Sequence, residues 1–232
     1  GKSVAPATTR HLRSAPLLAT RGAGDVNYSS IAALPDTRGE ILALAKALNA
    51  NAEQDVFLGK SASRDAVLKS DLSQRRIIAF ATHGLLAGEY PGMEQPALAL
   101  ANPGNGQHGL LSLDDILSLK LDADWVILSA CNTAAGDGRG GEAISGLGRG
   151  FFYSGSRSLL VTHWPVETVS AQNLVVGIFN ELGKTPGLLR AEALRKSMLS
   201  VMASDGGEGR FRFSYAHPMF WAPYALIGDG GK

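Results

Sequence analysis

The sequence predicts an α/β domain with a mostly parallel central sheet and helices on both of its faces. Three observations carry this. The runs Arg76–Thr82, Trp125–Ala130 and Ser158–His163 are apolar and of strand length. They lack polar alternation, which is the pattern of strands buried on both sides. Segments of helical period separate and follow them, the order expected of crossover-connected parallel strands. The 232 residues, 45% of them hydrophobic, are enough for one sizeable core.

The elements follow in order. Residues 1–33 are rich in Ala, Ser, Thr and Pro without a sustained period. They are expected to form an irregular arm, with one candidate edge strand near Leu17–Ala19, ahead of a domain spanning 34–232. In Arg38–Asn49, Ile41, Leu42, Leu44, Ala45 and Leu48 recur at helical spacing, with Asp36 or Thr37 as the cap. Val56–Gly59 is expected as a short strand and Ser63–Leu72 as a helix. The strand Arg76–Thr82 runs into His83-Gly84. Ala97–Asn102 is a further strand, Pro103–Gly109 a turn cluster, and Leu113–Leu119 a helix capped by Ser112.

Trp125–Ala130 delivers Cys131, and the glycine-rich Asn132–Gly141 is a loop. Glu142–Tyr153 reads as helix despite Gly146, Gly148 and Gly150, each costing about 1 kcal/mol against Ala. Close packing of its backbone against the sheet is the expected compensation. After the strand Ser158–His163 come an amphipathic helix over Glu167–Leu182 and another from Thr185-Pro186 to Met202. Phe220–Gly228 is the last strand, placed near an edge by Pro223.

Composition excludes several functions. Lys plus Arg number 22 against 21 for Asp plus Glu, so no broad basic face for nucleic acid is expected. No apolar run approaches the ~20 residues of a membrane helix. Cys131 is the single cysteine, which rules out an internal disulfide and the thiolate cluster of a structural zinc site. No metal and no cofactor are therefore expected. A lone thiol fits a reducing compartment, and the cytoplasm is the expected location. The chain starts at Gly1 rather than Met and shows no secretory signal, so other segments are expected to precede it in a longer protein.

His83 and Cys131 each stand at the carboxyl end of a predicted strand, the edge where ligand crevices open in such sheets. If the strands are neighbours, the two side chains meet. Sulfur attacks as the thiolate, and an adjacent imidazole can take its proton and return it to the leaving amine. The N–H groups of Gly84 and Cys131 are the candidate oxyanion donors. The plainer reading makes Cys131 a small buried hydrophobe and His83 a turn residue. The chain has neither the GxxxxGK[ST] of a phosphate-binding loop nor a GxSxG nucleophile elbow.

Longer motifs decide the matter. Ala81-Thr82-His83-Gly84 and Leu128-Ser129-Ala130-Cys131-Asn132-Thr133 resemble the CHAT family, a branch of the caspase- and separase-like peptidases. Further matches follow in order: Leu34-Pro35-Asp36-Thr37-Arg38-Gly39-Glu40, Gly109-Leu110-Leu111, Gly140-Gly141-Glu142 with Gly146-Leu147, Trp164-Pro165-Val166, and His217-Pro218 with Trp221-Ala222-Pro223-Tyr224. The resemblance spans about residues 34–228. It implies a caspase-like three-layer sandwich and a His83–Cys131 dyad, with Gly84 and Cys131 as oxyanion donors and a protein or peptide substrate. It implies no obligatory third carboxylate. The separation of 48 residues between His83 and Cys131 agrees with the roughly 50 of caspases. Such domains often follow tetratricopeptide-type repeats, so an upstream regulatory segment is expected.

Separase-like relatives place an acid at the base of the pocket for the residue before the cut. The corresponding stretch here is Trp164-Pro165-Val166-Glu167-Thr168, with Glu167 as its one acid and Thr168 where a second acid often stands. Two readings of Glu167 stay open: it pairs with a substrate Arg or Lys, or it serves the first turn of the helix it precedes. Asp122, Asp124 and Asp137 are weaker candidates for the same task. His163, His217 and Trp221 read as fold determinants, and His108 as a solvated turn residue. The rival to a peptidase is a non-catalytic scaffold or docking module of the same fold.

Overall fold

The computed structural model describes residues 31, 33–87, 93–102, 109–129, 146–164, 166–207 and 212–231. Its central sheet is built from β1 (Ile77–Phe80), β5 (Trp125–Leu128), β6 (Ser158–Thr162) and β9 (Tyr224–Gly228), in that spatial order. The first three strands are parallel and β9 is antiparallel to β6. The expected strands at these four places are therefore present, each slightly shorter, and β9 holds the edge foreseen from Pro223.

Helices cover both faces: α1 (Thr37–Ala47), α6 (Thr168–Lys184) and α7 (Arg190–Met202) on one, α3 (Arg64–Lys69), α4 (Leu113–Ser118) and α5 (Gly146–Tyr153) on the other. A one-turn α2 (Ala52–Asp55) links α1 to α3. The sheet residues divide between two cores as pleating requires. Trp125, Ile127 and Leu160 pack with Leu44, Leu174, Ile178 and Leu194; Val126, Leu128, Leu159 and Val161 pack with Ile116, Leu147 and Phe151. This explains why β5 and β6 are buried along their whole length: neither has a face left for water.

A second, antiparallel sheet stands at the carboxyl end of β1. It comprises β2 (His83–Leu85), β3 (Ala97–Ala99) and β4 (Leu110–Ser112), in the order β2-β3-β4. The reading of the sequence carried β1 through to Thr82 and assigned no strand to residues 83–85 or 110–112. These three-residue strands are too short to show a period, and they exist because pairing partners arrive from elsewhere in the chain. A small hairpin of β7 (Asp205–Gly206) and β8 (Phe213–Ser214) precedes β9.

Other departures have identifiable causes. The strand expected at Val56–Gly59 is absent among the described residues: the backbone is extended at Val56 and Leu58 without a ladder, and Gly59, at φ 54°, opens a 3-10 turn to Ser61. The helix expected from Thr185 starts at Arg190, because Gly187 has φ 83° and breaks the helical path. Gly150 of α5 packs against a helix rather than the sheet: a Cβ there would lie 2.7 Å from Leu113 Cδ1 and 3.2 Å from Ile116 Cγ2, both on α4. Ser112 caps α4 as expected, in a reciprocal box with Asp115. The candidate strand near Leu17–Ala19 and the loop 132–141 lie outside the described residues.

Candidate active site

His83 is the first residue of β2, three positions past the end of β1, and is only 5% exposed. Thr82 immediately before it donates its hydroxyl to the Ala99 carbonyl, and His83 lies opposite Ala99 in the β2–β3 pair. The imidazole therefore stands where the chain leaves the large sheet and joins the small one.

The next strand of the large sheet is β5, in register with β1: Ile77 opposite Trp125 and Phe80 opposite Leu128. The ladder continues one step beyond, where the Ser129 N–H donates to the Phe80 carbonyl at 2.9 Å. Ser129 is itself buried, with its hydroxyl 3.3 Å from the Tyr224 hydroxyl on β9. Two residues further along the chain comes Cys131, which lies outside the described residues. The tips of β1 and β5 are thus neighbours, the condition that the sequence reading left open.

Gly84 lies opposite Leu98. The Leu100 N–H bonds to the Gly109 carbonyl, which fixes the alternation of the β3–β4 ladder so that Leu98 faces β4 while Ala97 and Ala99 face β2. Gly84 is then in a non-hydrogen-bonded pair, and its N–H turns away from β3 at the outer edge of the small sheet.

Glu167 caps α6. Its Oε2 accepts the Ser170 N–H at 2.8 Å and the Tyr215 hydroxyl at 3.2 Å, and the residue is 5% exposed. Oε1 is buried and makes no hydrogen bond among the described residues. One oxygen of the carboxylate thus has a structural task, while the other is unspent. Tyr215 is the site-region residue that sequence reasoning missed. Nothing in the local pattern of a fully buried Tyr in a turn between β8 and the Pro218–Phe220 turn pointed back to a helix N-terminus 48 residues away.

The remaining candidates fall elsewhere. Asp122 and Asp124 stand before β5, at the opposite end of the sheet from His83. There Asp124 pairs with Arg76, with Arg157 at 3.4 Å and with the buried Arg190 at 3.3 Å, while Asp122 pairs with Arg157 at 2.5 Å. The His163 N–H bonds to the Pro223 carbonyl and its ring lies 6.3 Å from that of Trp164. His217 accepts the Met219 N–H on Nδ1, and the Trp221 indole donates to the Ala216 carbonyl; both organise the approach to β9. His108 and Asp137 lie outside the described residues. Among the described residues no group of three or more His, Cys, Asp or Glu could hold a metal ion, and no helix is long and apolar enough to cross a membrane.

The family model of the CHAT domain matches residues 6–229. The chain belongs to the CHAT family. Its α/β architecture, with three parallel strands, an antiparallel edge and helices on both faces, is consistent with the caspase-like fold of CHAT domains, a family related to caspase-like peptidases. No curated protein sequence matches the chain. Both motifs singled out from sequence lie within the matched residues.

Proposed function

We propose that this CHAT domain is a cysteine endopeptidase acting on a protein or peptide partner, with Cys131 as nucleophile and His83 as general base and acid. The observation that supports the reading is the parallel, in-register pairing of β1 with β5, extended by the Ser129–Phe80 bond, which makes the strands that lead toward the two motifs neighbours. In the reaction His83 takes the thiol proton and the thiolate attacks the scissile carbonyl carbon. A C–S bond forms, and the oxyanion is held by the N–H groups of Gly84 and Cys131. The C–N bond then breaks as imidazolium protonates the leaving amine. Water, deprotonated by His83, releases the acyl group and restores the thiol.

The unspent Oε1 of Glu167 supports a preference for cutting after Arg or Lys, since a buried carboxylate oxygen without a donor is completed by a cationic side chain. Its capping bond to Ser170 equally supports a purely structural Glu167, and the two readings differ in what Glu167→Gln does to substrate choice.

A mixed peptide library, digested by this chain and by its Cys131→Ala form, tests the proposal. Cuts that appear only with the unsubstituted chain are expected. Cleavage that persists in the Cys131→Ala form would overturn the assignment. A Cys131 thiol that alkylates near pH 7 no faster than a free cysteine, and no slower after His83→Ala, would favour a scaffold instead.

A further inference from the structure

Tyr224 and Ser129 meet although a strand lies between them. In the order β1-β5-β6-β9, β6 separates β9 from β5, so the two backbones are about 10 Å apart. The register sets Leu128 opposite Val161 and Thr162 opposite Tyr224. Ser129, Thr162 and Tyr224 therefore form one row across the sheet, a step beyond the row of Phe80, Leu128, Val161 and Ala225. Pleating puts this row on the face of Trp125, Ile127 and Leu160, the core to which Tyr224 belongs. From β9 the phenol reaches across β6, and its hydroxyl lies 3.3 Å from that of Ser129. Both residues are buried. Each end is also fixed by the backbone. Beside Tyr224, the Pro223 carbonyl accepts the His163 N–H at 2.9 Å, and the Ser129 N–H donates to the Phe80 carbonyl. Ser129 is thus tied to β1 through its peptide group and to β9 through its side chain.

We propose that Tyr224 is a positioning residue for the cleavage reaction. Through the Ser129 hydroxyl it fixes the exit of β5, two residues before Cys131 in the sequence. This rests on the reading of Cys131 as nucleophile. Packing alone is served by the aromatic ring, which a phenylalanine would supply equally. The hydroxyl adds a directional contact across 95 residues of chain, at the carboxyl edge of the sheet where the chemistry is proposed. Strand ends open more readily than strand centres, and a second tie on the far side opposes this. A buried hydroxyl that loses its partner has no water to turn to, so the contact resists breaking. Attack on a carbonyl is sensitive to such support, because a misplacement of about 1 Å costs about 10² in rate. Tyr224 acts through Ser129 and not on the substrate.

Steady-state rates on a library peptide that the chain cuts, measured for Tyr224→Phe, Ser129→Ala and the double variant, test it. Each single variant is expected to lower kcat about tenfold or more while KM stays within about twofold, since positioning is lost and substrate binding is not. The double variant should be no slower than either single one, because both remove the same bond. An unchanged kcat in Tyr224→Phe, or losses that multiply in the double variant, overturns the assignment. A lower melting temperature without loss of kcat marks a role in stability alone and overturns it too. Ser129→Ala removes the bond from the other side and decides the matter if Tyr224→Phe does not fold. An unsubstituted chain without Cys131-dependent cutting defeats the peptidase reading by itself. The alkylation rate of Cys131, the single thiol, with iodoacetamide then replaces kcat. Equal changes in the two single variants are expected there, and rates equal to that of the unsubstituted chain overturn the role of Tyr224.

Discussion

The Ser129 N–H donates to the Phe80 carbonyl at 2.9 Å, one step past the last registered pair of β1 and β5. This bond holds the ends of the two strands level where one turns toward His83 and the other toward Cys131. The proposed dyad therefore rests on backbone pairing between two neighbouring strands of the sheet.

If His83 and Cys131 act as a pair, Cys131→Ala abolishes peptide cleavage and His83→Ala lowers it by roughly 10²–10⁴, the usual worth of a positioned acid–base group. Cys131→Ala should leave circular dichroism and the melting temperature unchanged. Because His83 is buried, His83→Ala should lower the melting temperature by several degrees without loss of secondary structure. Initial rates on a cleaved library peptide, together with thermal melts, check both.

The Glu167–Tyr215 contact separates structure from recognition. Tyr215→Phe removes one of the two bonds to the buried Oε2 and should cost about 1–3 kcal/mol of stability. Glu167→Gln keeps an acceptor for the Ser170 N–H and should cost less than Glu167→Ala, which loses the cap at about 1 kcal/mol or more. Should Glu167 also read a basic residue, Glu167→Gln raises KM for Arg and Lys substrates while leaving neutral ones alone. Urea denaturation and a KM comparison provide the two readouts.

Asp115 makes part of the stability depend on pH. Burial works to raise its pKa, but the Arg64 side chain and the Ser112 N–H and hydroxyl outweigh this and hold it below the usual carboxylate range. A folded-state pKa below the unfolded one gives stability that is complete above the unfolded value of ~3.9 and disappears as pH falls through the folded value. The stability difference between this chain and Asp115→Asn should therefore be constant near neutrality and shrink below about pH 4. Denaturant titrations at stepped pH measure it, and a difference that does not change with pH would refute the sign.

Gly177 lets α6 and α7 approach closely. A Cβ there would lie 2.4 Å from Ser197 Oγ, which is already bound to the Leu174 carbonyl at 2.7 Å. Gly177→Ala should destabilise by about 1–3 kcal/mol through overpacking, against the gain of roughly 1 kcal/mol that Ala brings to a helix. In a Ser197→Ala background the clash is relieved and the same substitution should be near neutral. A double-mutant cycle by chemical denaturation reports the coupling.

The sequence by itself determined the layered α/β class, the long helices, the buried strands and the family. These depend on periodicity, apolar runs and ordered motifs, all of which are local. His83 and the last residues before Cys131 were legible as strand-end positions for the same reason. Only the tertiary structure decided that β1 and β5 are adjacent and parallel, because register is a property of two segments and no single segment encodes it. It alone placed β2 and β4, whose three residues take strand form from partners brought by the fold. It turned Gly84 outward, joined Tyr215 to Glu167, and carried Asp122 and Asp124 to the far end of the sheet as ion-pair partners. Each of these depends on which groups meet across long stretches of chain, and that is settled by packing, not by neighbours in sequence.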